Sequence, residues 1–271
     1  MQCLTSLLFL GSALAAPTSY TALEERATQQ CGQYQQQSNG GYTLSTNGWG
    51  WSSGTGSQCS EINSVSGTTI AWDTTWSWSG TATQVKSYTN VQSGFTQKQL
   101  SQYSTIPTTW KWSYTGTSLA ANVAYDTFVG SSASGANLFE VMVWLGLYGS
   151  ISPLSANGYP FTSIATVTVG GIPFDLAYGL NGNVKVYSFV AHSHAATSFT
   201  GDLVSTTPQH PSLHYLKLTA DQMTFYKYLA TNYASNGFSL SLYLQVIQAG
   251  TEVFTGSNAK LTTSAYSISA T

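Results

Sequence analysis

Charge is what this sequence has least of. Asp, Glu, Lys and Arg make up 7% of its 271 residues, against about a quarter in ordinary soluble domains. The one arginine, Arg26, stands near the start and the lysines are scattered, so there is no basic patch for nucleic acid. Disorder is excluded as well, because no block of like charge occurs and aromatics reach 13%. The three cysteines form no CxxC pair, which excludes the common zinc spacings. His192 and His194 read as neighbours on one strand face with no Cys or acidic cluster beside them, and His210 and His214 read as solvated in a Pro-containing loop. Neither GxSxG, nor a P-loop, nor a GxGxxG in Rossmann context is present. No Asn-x-Ser/Thr sequon occurs, so no N-glycosylation is expected.

Long apolar runs are also scarce. The first, Leu4 to Leu14, is too short to span a bilayer and leads into Ala13-Leu14-Ala15-Ala16-Pro17. This reads as a secretory signal over 1–16, with 17–26 as a pro-segment ending at Arg26 and 27–271 as a single domain. The expected product is extracellular, soluble and monomeric, with no membrane partner. Cys3 would leave with the leader, and Cys31 and Cys59 would then pair in an oxidising compartment. Such a bridge stabilises by roughly 3–4 kcal/mol on the chain-entropy account.

What the sequence has is strands. β-branched and aromatic runs occur at 69–78, 109–114, 120–129, 138–148, 164–169, 184–192, 238–247 and 260–269, separated by Gly/Asn/Ser clusters such as Asn181-Gly182-Asn183. Short strands with turns between them predict an all-β sandwich or jelly roll. One segment differs. Met223, Tyr226, Ala230 and Tyr233 have helical spacing, with Thr219 and Gln222 as a capping box, Leu218 and Met223 as a staple, and Gly237 as the stop.

Beyond Arg26 only three glutamates remain, and Glu140 and Glu252 lie in Trp/Phe-flanked strand-like runs. Burying a carboxylate costs free energy unless it is paired or used. In 138–145, Phe139, Val141, Val143 and Leu145 should face a core, while Glu140, Met142 and Trp144 face the other way. A carboxylate, a thioether and an indole on one face resemble the floor of a sugar cleft; the plainer reading is an edge strand with one solvated Glu. Glu252 follows an apolar strand, and Gly250 and Gly256 suggest a bend that aims it sideways. Asp126 is a third carboxylate in an apolar strand, and a buried structural Asp explains it equally well. Burial or a like charge would raise one carboxyl's pKa and separate a nucleophile from a proton donor, as glycoside hydrolysis requires.

The runs Glu140-Val141-Met142-Val143-Trp144-Leu145, Gly250-Thr251-Glu252-Val253-Phe254-Thr255-Gly256 and Gly54-Thr55-Gly56-Ser57-Gln58-Cys59, with Ser104 to Thr108 and Tyr125 to Phe128, together resemble fungal glycoside hydrolase family 12 from about Cys31 to Ser269. The resemblance implies a jelly-roll β-sandwich of two curved antiparallel sheets, one helix on the convex side, and a cleft on the concave face. It implies a retaining endo-β-1,4-glucanase of cellulase or xyloglucanase type, with a β-1,4-glucan polysaccharide as substrate and no metal or cofactor. Carried onto this chain, Glu140 is the nucleophile, Glu252 the acid/base and Asp126 the auxiliary that holds Glu140 by hydrogen bond. Asn47, Trp49, Met142 and Trp144 line glucose subsites, and Cys31–Cys59 matches the family disulfide.

The chain departs from the family pattern at Val253, where Pro is usual, at Gly48, where Leu precedes the subsite Trp, and at Asp73, where His is more frequent. The stretch Val204 to Gln222 is extra. It is expected to be a retained intron, because Val204-Ser205, Leu218-Thr219 and Gln222 can encode a splice donor, branch site and acceptor. In that case Thr200 replaces Thr219 as N-cap; otherwise the stretch is a surface loop. Ala133-Ser134-Gly135 and Ser257 to Lys260 resemble xyloglucan-active members, whereas Tyr178 to Gly182 resembles plain endoglucanases. The balance leans to unsubstituted or mixed β-glucan, with xyloglucan as the alternative. From a different class, a non-catalytic carbohydrate-binding jelly roll or a secreted protein recognised by a plant host is also open.

Overall fold

The computed structural model describes residues 29–202 and 225–271. The expected signal, pro-segment, extra stretch, capping box at Thr219 and Gln222, staple at Leu218 and Met223, and His210 and His214 lie outside the described residues.

Twelve strands and one α-helix are present among the described residues. In chain order the strands are β1 (Gln36–Asn39), β2 (Tyr42–Ser45), β3 (Gly54–Ser66), β4 (Thr69–Gly80), β5 (Ser87–Ser93), β6 (Pro107–Gly130), β7 (Asn137–Tyr148), β8 (Ala165–Val169), β9 (Ile172–Asn181), β10 (Val184–Ala191) and β11 (Ser198–Asp202). Helix α1 (Phe225–Asn232) and strand β12 (Tyr243–Ile268) follow. One layer runs β1-β2-β5-β12-β6-β7-β10-β9-β8; the other is made by β3, β4 and β11 on the remaining lengths of β12 and β6. Every pairing is antiparallel except β10 with β7. This is the expected jelly-roll sandwich.

The two layers are joined by continuous strands. Sequence reading ends one strand at Tyr114 and starts another at Ala120, yet β6 runs through both. The same holds for 238–247 and 260–269: β12 begins only at Tyr243 and continues to Ile268. The Gly and Ser read as turns are corners inside the ladder. Gly116 (φ 141°), Ser118 (φ 52°) and Asn258 (φ 49°) adopt left-handed backbone there, and β12 shifts register between Val253 and Lys260. A Cβ on Gly116 would lie 2.8 Å from Ala259 Cα, so only glycine lets the two strands bend together.

Between the layers lies a core of alternate residues, including Trp72, Trp110, Tyr125, Val141, Val143, Tyr187 and Phe189, all nearly inaccessible. Helix α1 packs on this side, opposite the cleft, with the Phe225 ring against Phe174 and Phe189. Tyr226 donates its hydroxyl to Thr127 Oγ1 at 2.9 Å, and Thr127 in turn donates to Val141 O. The helix ends earlier than the sequence predicts, at Asn232. Its buried stripe is Phe225, Tyr226 and Leu229, and Gly237, in left-handed conformation, closes a 3-10 turn at Ala234–Asn236 rather than the helix itself. Thr200 lies in β11, paired with Thr109, in the chain that carries the extra stretch. Cys31 and Cys59 form the expected disulfide, with S–S 2.05 Å.

Candidate active site

Strand alternation sorts β7 as its sequence predicts. Phe139, Val141, Val143 and Leu145 enter the main core. Met142 and Trp144 turn to the opposite face and form a second apolar cluster with Ala124, Ile151, Val190 and Phe254. There Trp144 Nε1 donates to Met142 Sδ at 3.4 Å. This cluster is the floor of a cleft.

Glu140 pairs with Phe128 on β6, whereas Glu252 sits beside Asn122 of the same strand. On a flat ladder those levels are about 20 Å apart. The curl of the sheet, with a register shift between Val123 and Ala124, turns both carboxyls into one cavity of about 240 Å³. Met142, Trp144, Val186 and Phe254 line it from below, and Trp49, Thr83, Val85, Leu154 and Asn181 form its rim. The Trp49 ring is 53% exposed, an unusual position for an indole and one suited to cover a flat apolar face.

The bend expected from the glycines around Glu252 is not at Gly250. That residue is paired in the ladder with Asn90 and Ala124, and a Cβ there would lie 2.1 Å from Thr89 O. Glycine at 250 serves close approach of β5, and the irregularity comes after Glu252, between Val253 and Thr255.

The carboxyls differ in their surroundings. Burial raises the pKa of Glu140, opposed by a hydrogen bond from Asn181. Burial, then the charge of Glu140, raises Glu252 from 4.5 to about 7, opposed by a hydrogen bond from Asn122. Burial, then the charges of Glu140 and Glu252, pushes Asp126 well above the usual carboxylate range, opposed by the Thr127 backbone N–H. Three buried acids in one another's field cannot all ionise together. Tyr88 lies in the field of all three and donates its hydroxyl to Ala124 O at 2.9 Å.

Of the residues singled out in the sequence, Glu140, Glu252, Trp49, Met142 and Trp144 line one cavity. Asp126 is buried behind it, 6% exposed, and its Oδ1 has no hydrogen-bond partner among the described residues. The hydrogen bond that favours the charged form of Glu140 comes from Asn181, not Asp126. Asn47 lines a neighbouring cavity of about 210 Å³ with Tyr34, Asn90 and Gln248. The histidine pair is not a strand face: β10 ends at Ala191, and His192 Nε2 lies 2.8 Å from Asp175 Oδ2. No group of three or more metal-ligating side chains occurs among the described residues. Sequence reading missed Asn122, Asn181, Phe254 and Leu154. Phe254 was legible, since it stands two residues from Glu252 on the same face; Asn122 and Asn181 carry no local pattern.

Two departures have a physical account. At Gly48 a Cβ would lie 2.4 Å from Trp51 Nε1, so the Trp51 indole fills the space a larger residue would need. Asp73 is an ion-pair partner of Lys260, Oδ2 to Nζ 2.7 Å, and accepts from Asn63 at 3.2 Å, away from the cleft.

Residues 40–208 match the family model of glycosyl hydrolase family 12. The chain is 47% identical over 256 residues to xyloglucan-specific endo-beta-1,4-glucanase A of Aspergillus aculeatus, covering 94% of this chain and 96% of the relative. It is 43% identical over 261 residues to the protein of the same description from Emericella nidulans, covering 96% and 98%. Among solved structures, Trichoderma harzianum endoglucanase 3 superposes with TM-score 0.77 at 35% identity, over 92% of this chain and 99% of that one. The catalytic domain of Humicola grisea Cel12A, in complex with a thio-cellotetraose, gives 0.75 at 30%, over 90% and 99%.

Proposed function

The chain belongs to glycoside hydrolase family 12, and from that premise we propose that it is a secreted, monomeric, single-domain endo-β-1,4-glucanase that cleaves plant cell-wall β-glucan with retention. The observation that supports this most is the pair of carboxyls, Glu140 and Glu252, in one aromatic-lined cleft whose surroundings separate their titration. Glu252 keeps its proton to about pH 7 and gives it to the leaving glycosidic oxygen. Glu140, whose carboxylate is steadied by Asn181, attacks the anomeric carbon and forms a glycosyl-enzyme bond. Glu252, now a base, takes a proton from water, and the resulting attack frees the product and restores Glu140. Asp126, whose pKa is raised well above the usual carboxylate range, is a protonated auxiliary behind the nucleophile. Trp49 covers a glucose face at the rim, Met142 and Trp144 form the floor, and Asn47 extends the site into the neighbouring cavity.

Xyloglucan is the preferred polymer in this proposal, supported by relatives described as xyloglucan-specific at 43–47% identity. Unsubstituted β-glucan is the second reading, supported by the likeness to a structure that holds a thio-cellotetraose. Reducing-sugar release from xyloglucan, barley β-glucan and carboxymethyl cellulose, with Glu140→Ala as control, separates the two. Release from xyloglucan alone, absent in the variant, supports the first; equal release from all three supports the second. No release from any polymer overturns the hydrolase reading in favour of a binding or host-recognition role.

A further inference from the structure

Asn122 is fully buried and meets Glu252 twice. Its Oδ1 accepts from the Glu252 backbone N–H at 2.7 Å, and its Nδ2 donates to Glu252 Oε2 at 2.5 Å. The backbone N–H can only donate, so it fixes which end of the amide is oxygen. The NH₂ end must then face the carboxyl. An amide N–H can only donate too, so Oε2 must accept whether or not the carboxyl is protonated. The Asn122 backbone carbonyl accepts from Thr251 Oγ1 at 2.5 Å, which locks the strand pair at this point.

We propose that Asn122 is a positioning residue for proton transfer: it holds the Glu252 carboxyl in one rotamer and assigns the transferable proton to Oε1. This rests on Glu252 as the acid/base. With Oε2 committed to Asn122, the protonated acid carries its hydrogen on the other oxygen, and ionisation returns an electron pair to that same atom. One atom therefore donates in the first step and accepts in the second, with no side-chain rotation between them. Asn122 also strengthens the acid, because its N–H favours the carboxylate against burial and the Glu140 charge.

Asn122→Asp keeps an acceptor for the Glu252 N–H and removes the donor; Asn122→Ala removes both. The test compares kcat/KM on aryl β-cellotriosides whose leaving groups either need protonation or, as dinitrophenolate, do not. The expected result is a loss of about 10- to 100-fold on the poor leaving group, the range of a charge-assisted hydrogen bond. The dinitrophenyl substrate should stay within about threefold of the unaltered protein. The alkaline limb of the pH profile should move upward in both variants, more in Asn122→Asp, whose new charge faces the acid. Equal losses on both leaving groups with an unmoved alkaline limb would overturn the proposal and leave Asn122 a fold-stabilising residue. Glu252→Ala is run beside them. If it fails to discriminate between leaving groups, the acid/base assignment itself is wrong and the proposal falls with it, a failure distinct from that of the Asn122 variants alone.

Discussion

Glu252→Gln should inactivate the enzyme and make it more stable, by an amount that depends on pH. The Glu252 carboxyl titrates at about 7 in the folded protein and at its ordinary 4.5 when the chain unfolds. Between those values the folded state holds a proton that the unfolded state has released, so stability falls as pH rises through the window. Below about pH 4 the group is neutral in both states and costs nothing. Above about pH 8 it is charged in both, and the full difference, about 3 kcal/mol, is lost from the folded state. The carboxyl is partly exposed to the cleft, and solvent screening reduces this to about 2 kcal/mol. The substituted side-chain amide would keep the size and the acceptor for Asn122 Nδ2, so no cavity or orphaned donor is created. For a domain of this size about 2 kcal/mol corresponds to a Tm gain of roughly 4–8 °C. Thermal unfolding of both proteins should show that gain at pH 8 and a gap closing toward zero at pH 4. A gain of equal size at both pH values would refute the reasoning, because it would owe nothing to ionisation. A loss at pH 8 would show that the charged form is the better accommodated one.

Trp49→Ala removes an indole that stands exposed at the cleft rim; KM for a soluble glucan should rise about tenfold with kcat changed less, as expected for about 1.5 kcal/mol of lost apolar cover, and an unchanged KM would place the chain elsewhere. Replacing Cys31 and Cys59 by Ser opens the Cys31–Cys59 bridge and should lower stability by roughly 3–4 kcal/mol, read as an earlier denaturant midpoint with the cleft's substrate preference intact.

The all-β class, the disulfide, and the two faces of β7 were legible because each follows from a local rule: alternation, compartment, or period two. Strand ends were less so. Gly116 and Gly256 are ordinary turn signals, and only the partner strand reveals that they are corners within β6 and β12. The helix was legible in type but not at its C-terminal end, which falls at Asn232, while Gly237 closes a separate 3-10 turn. At the site, Glu140 and Glu252 stand out because carboxylates are rare in this chain. Asn122 does not, because its meaning lies in a contact to Glu252 across a strand boundary, 130 residues away in sequence. Asn47 was assigned to a glucose subsite by resemblance alone; it has left-handed backbone (φ 41°) and lines the cavity of Tyr34 and Asn90.

Double displacement by Glu140 and Glu252 fixes the configuration of the released sugar. Proton NMR of the first seconds of xyloglucan or barley β-glucan hydrolysis reads it, as the anomeric configuration of the new reducing ends before mutarotation. Retention requires the β anomer to appear first and the α anomer to grow in later. If the α anomer forms first, water has attacked directly and Glu140 is not a covalent nucleophile.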